Sequence, residues 1–290
     1  MKGNFAMWKQ QFAIALSNSF AEDEKEQLRL IKEAGFDGYF PCWSREEDLA
    51  PVIEEGNRLG LILQSIHAPF NHVKALWEAD EAAAEDVLNE QLECLRDCAR
   101  FGAPIMVVHV FIGFKDHTPT EIGIRRYAVL VAEAEKLGVK IAFENTEGEE
   151  YLEALMHAFR NSPAVGFCWD TGHELCYNRS RDMLALYGDK LICTHLNDNL
   201  GVKDFEGEIT YLDDLHLLPF DGITDWDSVA ARLDRWGFHG MMTFELTRRS
   251  KRDRHENDAY AAMPITDYLA ECFKRACRLA AKRRVNQKNA

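Results

Sequence analysis

The chain has 290 residues, with 34 Lys and Arg against 48 Asp and Glu, giving a formal net charge of −14. That balance argues against nucleic acid as the main partner, since such proteins usually present basic surface. No apolar run approaches the ~20 residues needed to cross a bilayer. The eight cysteines are scattered without a C-x-x-C pair, which points away from a zinc ribbon, a thioredoxin-type site or a disulfide framework. The run Phe12 to Leu16 is too short for a signal-peptide core, so the expected location is cytoplasmic.

In chain order, short apolar or β-branched runs alternate with amphipathic stretches. Strands are expected at 12–17, 38–43, 61–68, 104–110, 140–146, 165–170, 190–196 and 240–246. Helical segments include 22–34, 79–101, 120–137 and 225–236. Gly35, Gly60, Gly102, Gly138 and Gly237 stand a few residues before a strand, where a helix C-cap needs positive φ. Eight strand–helix alternations without a Pro/Ser-rich linker predict one α/β domain spanning 1–290, a (β/α)8 TIM barrel with its core at about 10–285. An open doubly wound sheet is the rival fold, and it is weakened by the lack of a G-x-G-x-x-G after the first strand. The longest irregular stretch, 199–224, lies between the last two strands, where a loop of that length is often functional.

The polar residues collect at the C-terminal ends of these strands. The third strand ends in His67, the fourth carries His109 in IMVVHV, and the fifth reads AFENT with Glu144. The sixth runs into DTGH with Asp170 and His173, the seventh into THLNDN with His195, and the eighth reads MMTFEL with Glu245. DLHLLP in the long loop adds Asp214 and His216. In a TIM barrel that end carries the active site. A strand histidine taken alone is usually a hydrogen-bonded core residue. Carboxylates and imidazoles converging from six consecutive strands, however, would repel or stay unpaired at several kcal/mol each. A divalent cation resolves the conflict, and Mn2+, Zn2+, Co2+ and Mg2+ all suit mixed carboxylate and imidazole ligands.

The motifs AFENT, DTGH, THLNDN, D-x-H-x-x-P and FEL, in that order, resemble the xylose-isomerase-like superfamily of TIM barrels over roughly residues 10–250. That superfamily holds sugar isomerases, ketose 3-epimerases, inosose dehydratases and metal-dependent apurinic endonucleases. The resemblance implies a metal quartet of Glu144, Asp170, His195 and Glu245. It places His67, His109, His173, Asp214 and His216 where the endonucleases hold additional zinc ions, positions that many sugar-type relatives also keep.

The expected activity is metal-dependent isomerisation or epimerisation of a sugar or sugar phosphate through a metal-stabilised enediolate, with Glu144 and Glu245 as the acid/base pair. His67, His109, His173 and Trp43 are expected to bind substrate, with Trp8, Phe70, Phe111 and Phe114 as further aromatics near the mouth. The alternatives are a phosphodiesterase acting on abasic DNA, an inosose dehydratase-type lyase, and a barrel that binds without catalysis. The run LTRRSKRDRH, with Arg248, Arg249, Lys251, Arg252 and Arg254, could serve DNA or a sugar phosphate, or be a solvated loop. No membrane partner is expected, and a homo-oligomer is compatible with the sequence.

Strand alternation adds an expectation independent of family. Ser65, Val107, Ala142, Cys168, Cys193 and Thr243 should face the barrel interior beneath the site. Ile66, Val108, Phe143, Trp169, Thr194 and Phe244 should face outward.

Overall fold

The computed structural model describes residues 9–20, 22–115, 118–202 and 208–284. Among these, parallel strands β1 (Phe12–Ala15), β2 (Gly38–Phe40), β3 (Ile62–Leu63), β4 (Ile66–His67), β5 (Ile105–His109), β6 (Lys140–Glu144), β7 (Val165–Asp170), β8 (Leu191–His195) and β9 (Met242–Phe244) alternate with helices. Two sheets form, ordered β3-β2-β1-β9 and β4-β5-β6-β7-β8. Isolated parallel bridges, Cys42 to His67 and Leu196 to Phe244, join them at both seams, so the strands ring a common axis. The fold is a TIM barrel.

The helices are delimited as the sequence suggests. Helix α1 (Glu24–Ala34) starts where the Asp23 carboxylate accepts from the Lys25 and Glu26 amides. It stops at Gly35, whose φ of 107° would strain any residue carrying a Cβ. The other four glycines expected as caps also have positive φ. Helices α2 (Ala50–Leu59), α3 (Glu81–Phe101), α4 (Glu121–Leu137), α5 (Glu149–Ala158), α6 (Thr171–Leu175), α7 (Met183–Tyr187), α8 (Trp226–Arg235), α9 (Asp258–Ala262) and α10 (Ile265–Ala280) complete the shell. No helix among the described residues is long and apolar enough to cross a membrane.

The expected strand at 61–68 is broken. Its two pieces are interrupted at Gln64 and Ser65, and Gln64 extends to Cys193, its Nε2 3.5 Å from the sulfur. Strict alternation therefore fails on this strand, as the split pairing requires. The apolar residues of the alternating pattern divide between two clusters as expected. Val107, Ala142, Cys168 and Cys193 pack with Ile105 as a small separate cluster. Ile66, Val108, Phe143, Trp169 and Phe244 belong to the large cluster that also holds buried helix residues such as Leu28, Ile31 and Leu95. A register shift between β7 and β8 lets Ile192 join the small cluster beside Cys193, so two successive residues serve the interior.

Small side chains make room for the site above them. Ala142→Phe should overpack this layer, costing about 1–3 kcal/mol, and displace Glu144 two residues on. Denaturant unfolding and metal titration of the variant would check both effects; unchanged stability would mean the layer has slack.

Candidate metal centre

Each polar side chain selected from the sequence arrives at the barrel mouth by the end of a strand or by the loop or short helix that follows it. Ligand atoms of Glu144, Asp170, His195 and Glu245 all lie within 4.8 Å of one another. Glu144, Asp170 and His195 are wholly buried. His195 Nδ1 sits between two carboxylates, 3.1 Å from Glu144 Oε1 and 3.0 Å from Glu245 Oε2. Further groups at the mouth are His67 and His109 with Glu144, His67 with His195 and Glu245, and His173 with Asp214 and His216, while Cys168 and Cys193 approach His195 from the layer beneath. His109 Nε2 and His67 Nε2 approach Glu144 Oε2 to 3.3 and 3.5 Å. All nine residues selected from the sequence are thus brought together.

Donors and acceptors do not balance. His195 Nε2 and Asp214 Oδ1 are buried without a hydrogen-bond partner among the described residues, and the two imidazoles near Glu144 Oε2 approach it without hydrogen-bond geometry. Buried polar atoms are rarely left so. With a carboxylate and imidazole donor set, these orphans fit a divalent cation.

The site's electrostatics have one theme. Burial pushes the Glu144 carboxyl up, but the imidazoles of His195 and His109 outweigh it and hold it well below the usual range. Burial likewise opposes ionisation of Glu245, and His195 with His216 brings it down to about 2. Asp170 goes the other way: burial raises it to about 6 despite His173.

Several residues that position the site were not selected from the sequence. Asn145 brackets the Asp170 backbone, donating to its carbonyl at 2.9 Å and accepting from its amide at 2.8 Å. Asn197 Nδ2 donates to Asp170 Oδ2 at 2.8 Å, while the His173 amide donates to Oδ1 at 2.7 Å. Both asparagines lie inside motifs already noted, AFENT and THLNDN, so adjacency was the available signal. Aromatic plates set the imidazoles: Phe40 stacks on His195 at 4.8 Å, Phe70 on His109 at 4.5 Å and Tyr177 on His173 at 4.8 Å.

The other expected aromatics divide. Trp43 borders the mouth, its indole N–H donating to Asp97. Phe114 is exposed, but Phe111 is buried against Tyr151 at 4.0 Å and is ordinary packing. Trp8 lies outside the described residues.

The basic run after β9 is largely committed to its own chain. Arg248 donates to the carbonyls of Phe20, Tyr260, Ala261 and Met263. Lys251 donates to the Tyr211 carbonyl and lies 3.5 Å from Asp214, and Arg254 pairs with Glu256. Arg249 and Arg252 are exposed.

The long loop is pinned by Asp198. Its Oδ1 accepts from the amides of Asn199 and Thr224 and the Thr224 hydroxyl; its Oδ2 accepts from the Phe220 amide and Trp226 Nε1. Asp198 also bridges to Leu217, next to His216.

Asp214 and His216 give a pH-dependent contribution to metal-free stability. Burial opposes charging of His216, but Asp214 raises it from 6.5 to about 9. A raised histidine stabilises fully below its unfolded value of 6.5, and this is lost as pH rises through about 9. Burial pushes Asp214 up, yet His216 and His173 hold it well below 3.8, so its contribution is present above 3.8 and lost as pH falls through its folded value. In chelator-treated protein, His216→Gln should cost about 1–3 kcal/mol near pH 6, with the difference shrinking above pH ~9. Urea unfolding at both pH values measures it; a pH-independent difference would refute the linkage.

A parallel barrel with convergent carboxylates and imidazoles at its C-terminal mouth is the architecture of a sugar-isomerase-like TIM barrel. The family model for the xylose isomerase-like TIM barrel matches residues 28–267, and the chain belongs to that family. An uncharacterized Sinorhizobium fredii protein, y4fM, is 32% identical over 268 residues, covering 78% of this chain and 82% of that one. Among solved structures, a xylose isomerase-like TIM barrel/4-hydroxyphenylpyruvate dioxygenase fusion protein superposes with TM-score 0.72 at 19% identity, over 97% of this chain and 44% of the fusion. This chain therefore spans less than half of that protein. The E. coli 3-keto-D-glucoside 4-epimerase YcjR gives 0.68 at 18% identity, covering 92% and 100%. The IOLI protein with a bound zinc atom gives 0.70 at 17%, covering 93% and 98%. At these identities the structural likenesses establish the fold alone.

Proposed function

We propose that the chain is a divalent-metal-dependent isomerase or epimerase acting on a ketose, ketose phosphate or inosose. Glu144, Asp170, His195 and Glu245 would hold the ion. The carrying observation is the convergence of these four side chains, with His195 Nε2 buried and without a hydrogen-bond partner among the described residues. When bound, a divalent ion supplies a Lewis acid for the substrate carbonyl. Zinc, present in the IOLI structure, is among the ions this donor set suits.

The chain's own residues would handle the proton. Glu144 ends β6 and Glu245 follows β9, so they flank His195 from opposite sides along the ring. One carboxylate takes the proton from the carbon beside the carbonyl, and its counterpart returns a proton to the other face, inverting that carbon. The accepting carboxylate enters the reaction ionised and its counterpart protonated, and proton exchange with solvent resets the pair after turnover. Asn145 and Asn197 hold Asp170 in place, and Phe40 restrains the His195 ring.

The clustering of His67, His109, His173, Asp214 and His216 favours a second reading, a phosphodiesterase holding several ions. Against it stand the net charge of −14 and a basic run largely committed to its own chain. Metal-loaded protein should incorporate solvent deuterium into a ketose or inosose and leave an abasic duplex intact at near-physiological salt. Specific duplex cleavage that disappears in His216→Ala would reverse the ranking.

A further inference from the structure

A cleft of about 410 Å3 opens beside the candidate metal centre, bounded by His216 and Glu245 on one side and by the loops after β1 and β2 on the other. Its lining carries Glu24 and Glu47 besides Glu245, and includes no Lys or Arg among the described residues. Neither Glu24 nor Glu47 is ion-paired among those residues. Burial raises Glu24 above the ordinary carboxylate value, and Glu47 raises it further, which places the two carboxylates within reach of one another's charge. Trp43 has committed its N–H to Asp97, so it offers the cleft carbon surface only. Ser17, Asn18, Ser44 and Thr247 supply neutral donors and acceptors.

We infer that this cleft receives the end of the substrate remote from the reacting carbons, and that this end is an uncharged polyhydroxyl group rather than a phosphate ester. The inference rests on the proposed isomerase reading and narrows its substrate class. Hydroxyls can donate to Glu24 and Glu47, and sugar carbons can lie against Trp43. A phosphate brings about −1.5 to −2 charges at pH 7 to the Glu24 and Glu47 carboxylates, which no Lys or Arg of the described lining offsets; the cationic His216 stands at the opposite wall, already paired with Asp214. None of the five basic residues of the run lines the cleft: Arg248 and Arg254 are taken by other partners, and Lys251 is held between the Tyr211 carbonyl and Asp214.

The test uses the metal-loaded 290-residue chain and two matched probe pairs, fructose with fructose 6-phosphate and ribulose with ribulose 5-phosphate. Binding is measured by calorimetry, and solvent-deuterium incorporation is measured alongside. Each free ketose should bind at least about tenfold tighter than its phosphate, or about 1.4 kcal/mol. The gap should narrow at high salt and in the near-isosteric Glu24→Gln/Glu47→Gln variant. A phosphate bound as tightly as its ketose, or a gap indifferent to both salt and variant, overturns the inference; deuterium exchange in that case leaves the isomerase reading standing. Discrimination without exchange supports the cleft and refutes the chemistry. Binding of neither pair member refutes both.

Discussion

Glu144→Gln is expected to lower deuterium exchange into substrate by at least about 10³-fold, within the range general acid–base groups supply. The substitution keeps shape and removes one charge from the centre of the site. Glu144 is the group that His195, His173, His109 and His67 all face, at 3.1 to 3.5 Å. Metal affinity should fall as well, by more than the ~10–100-fold that outer-shell partners alone are worth. Exchange kinetics and competition against a chelator separate the two effects. A variant that exchanges at the parent rate would remove Glu144 from the chemistry.

Asp198→Ala is the second large effect, and it acts on structure. Five donors converge on this carboxylate, from Asn199, Phe220, Thr224 twice and Trp226. Leaving several buried donors unmet should cost at least about 3 kcal/mol. The loop carrying Asp214 and His216 should loosen with it, so their hydrogen exchange should rise while the amides of β5 to β7 stay protected. Asp198→Asn should fall between, since its amide turns a donor toward donors. Equal protection of the loop in the variant would show that Asp198 does not hold it.

Strand ends were legible because an apolar run that stops at Glu144, Asp170 or His195 states both its element and the direction of its last side chain. The glycine caps were legible because positive φ selects glycine. The break at Gln64 and Ser65 was not, since LILQSIH reads as continuous alternation while the split depends on which neighbour each piece pairs with. Phe40 was missed for a related reason: beside Tyr39 it looks like core, and only the pairing of β2 with β1 turns it toward His195. The fate of Arg248 was equally hidden. A charge run does not tell which guanidinium will find a carbonyl 228 residues away in the chain.

The most direct measurement is a crystal grown with Mn2+ or Zn2+ and diffraction recorded across the metal's absorption edge. The account predicts an anomalous peak bonded to Glu144, Asp170, His195 and Glu245, with carboxylate and imidazole atoms at about 2.0–2.3 Å. A peak held only by His173, Asp214 and His216, with two or more of the quartet unbound, would contradict it.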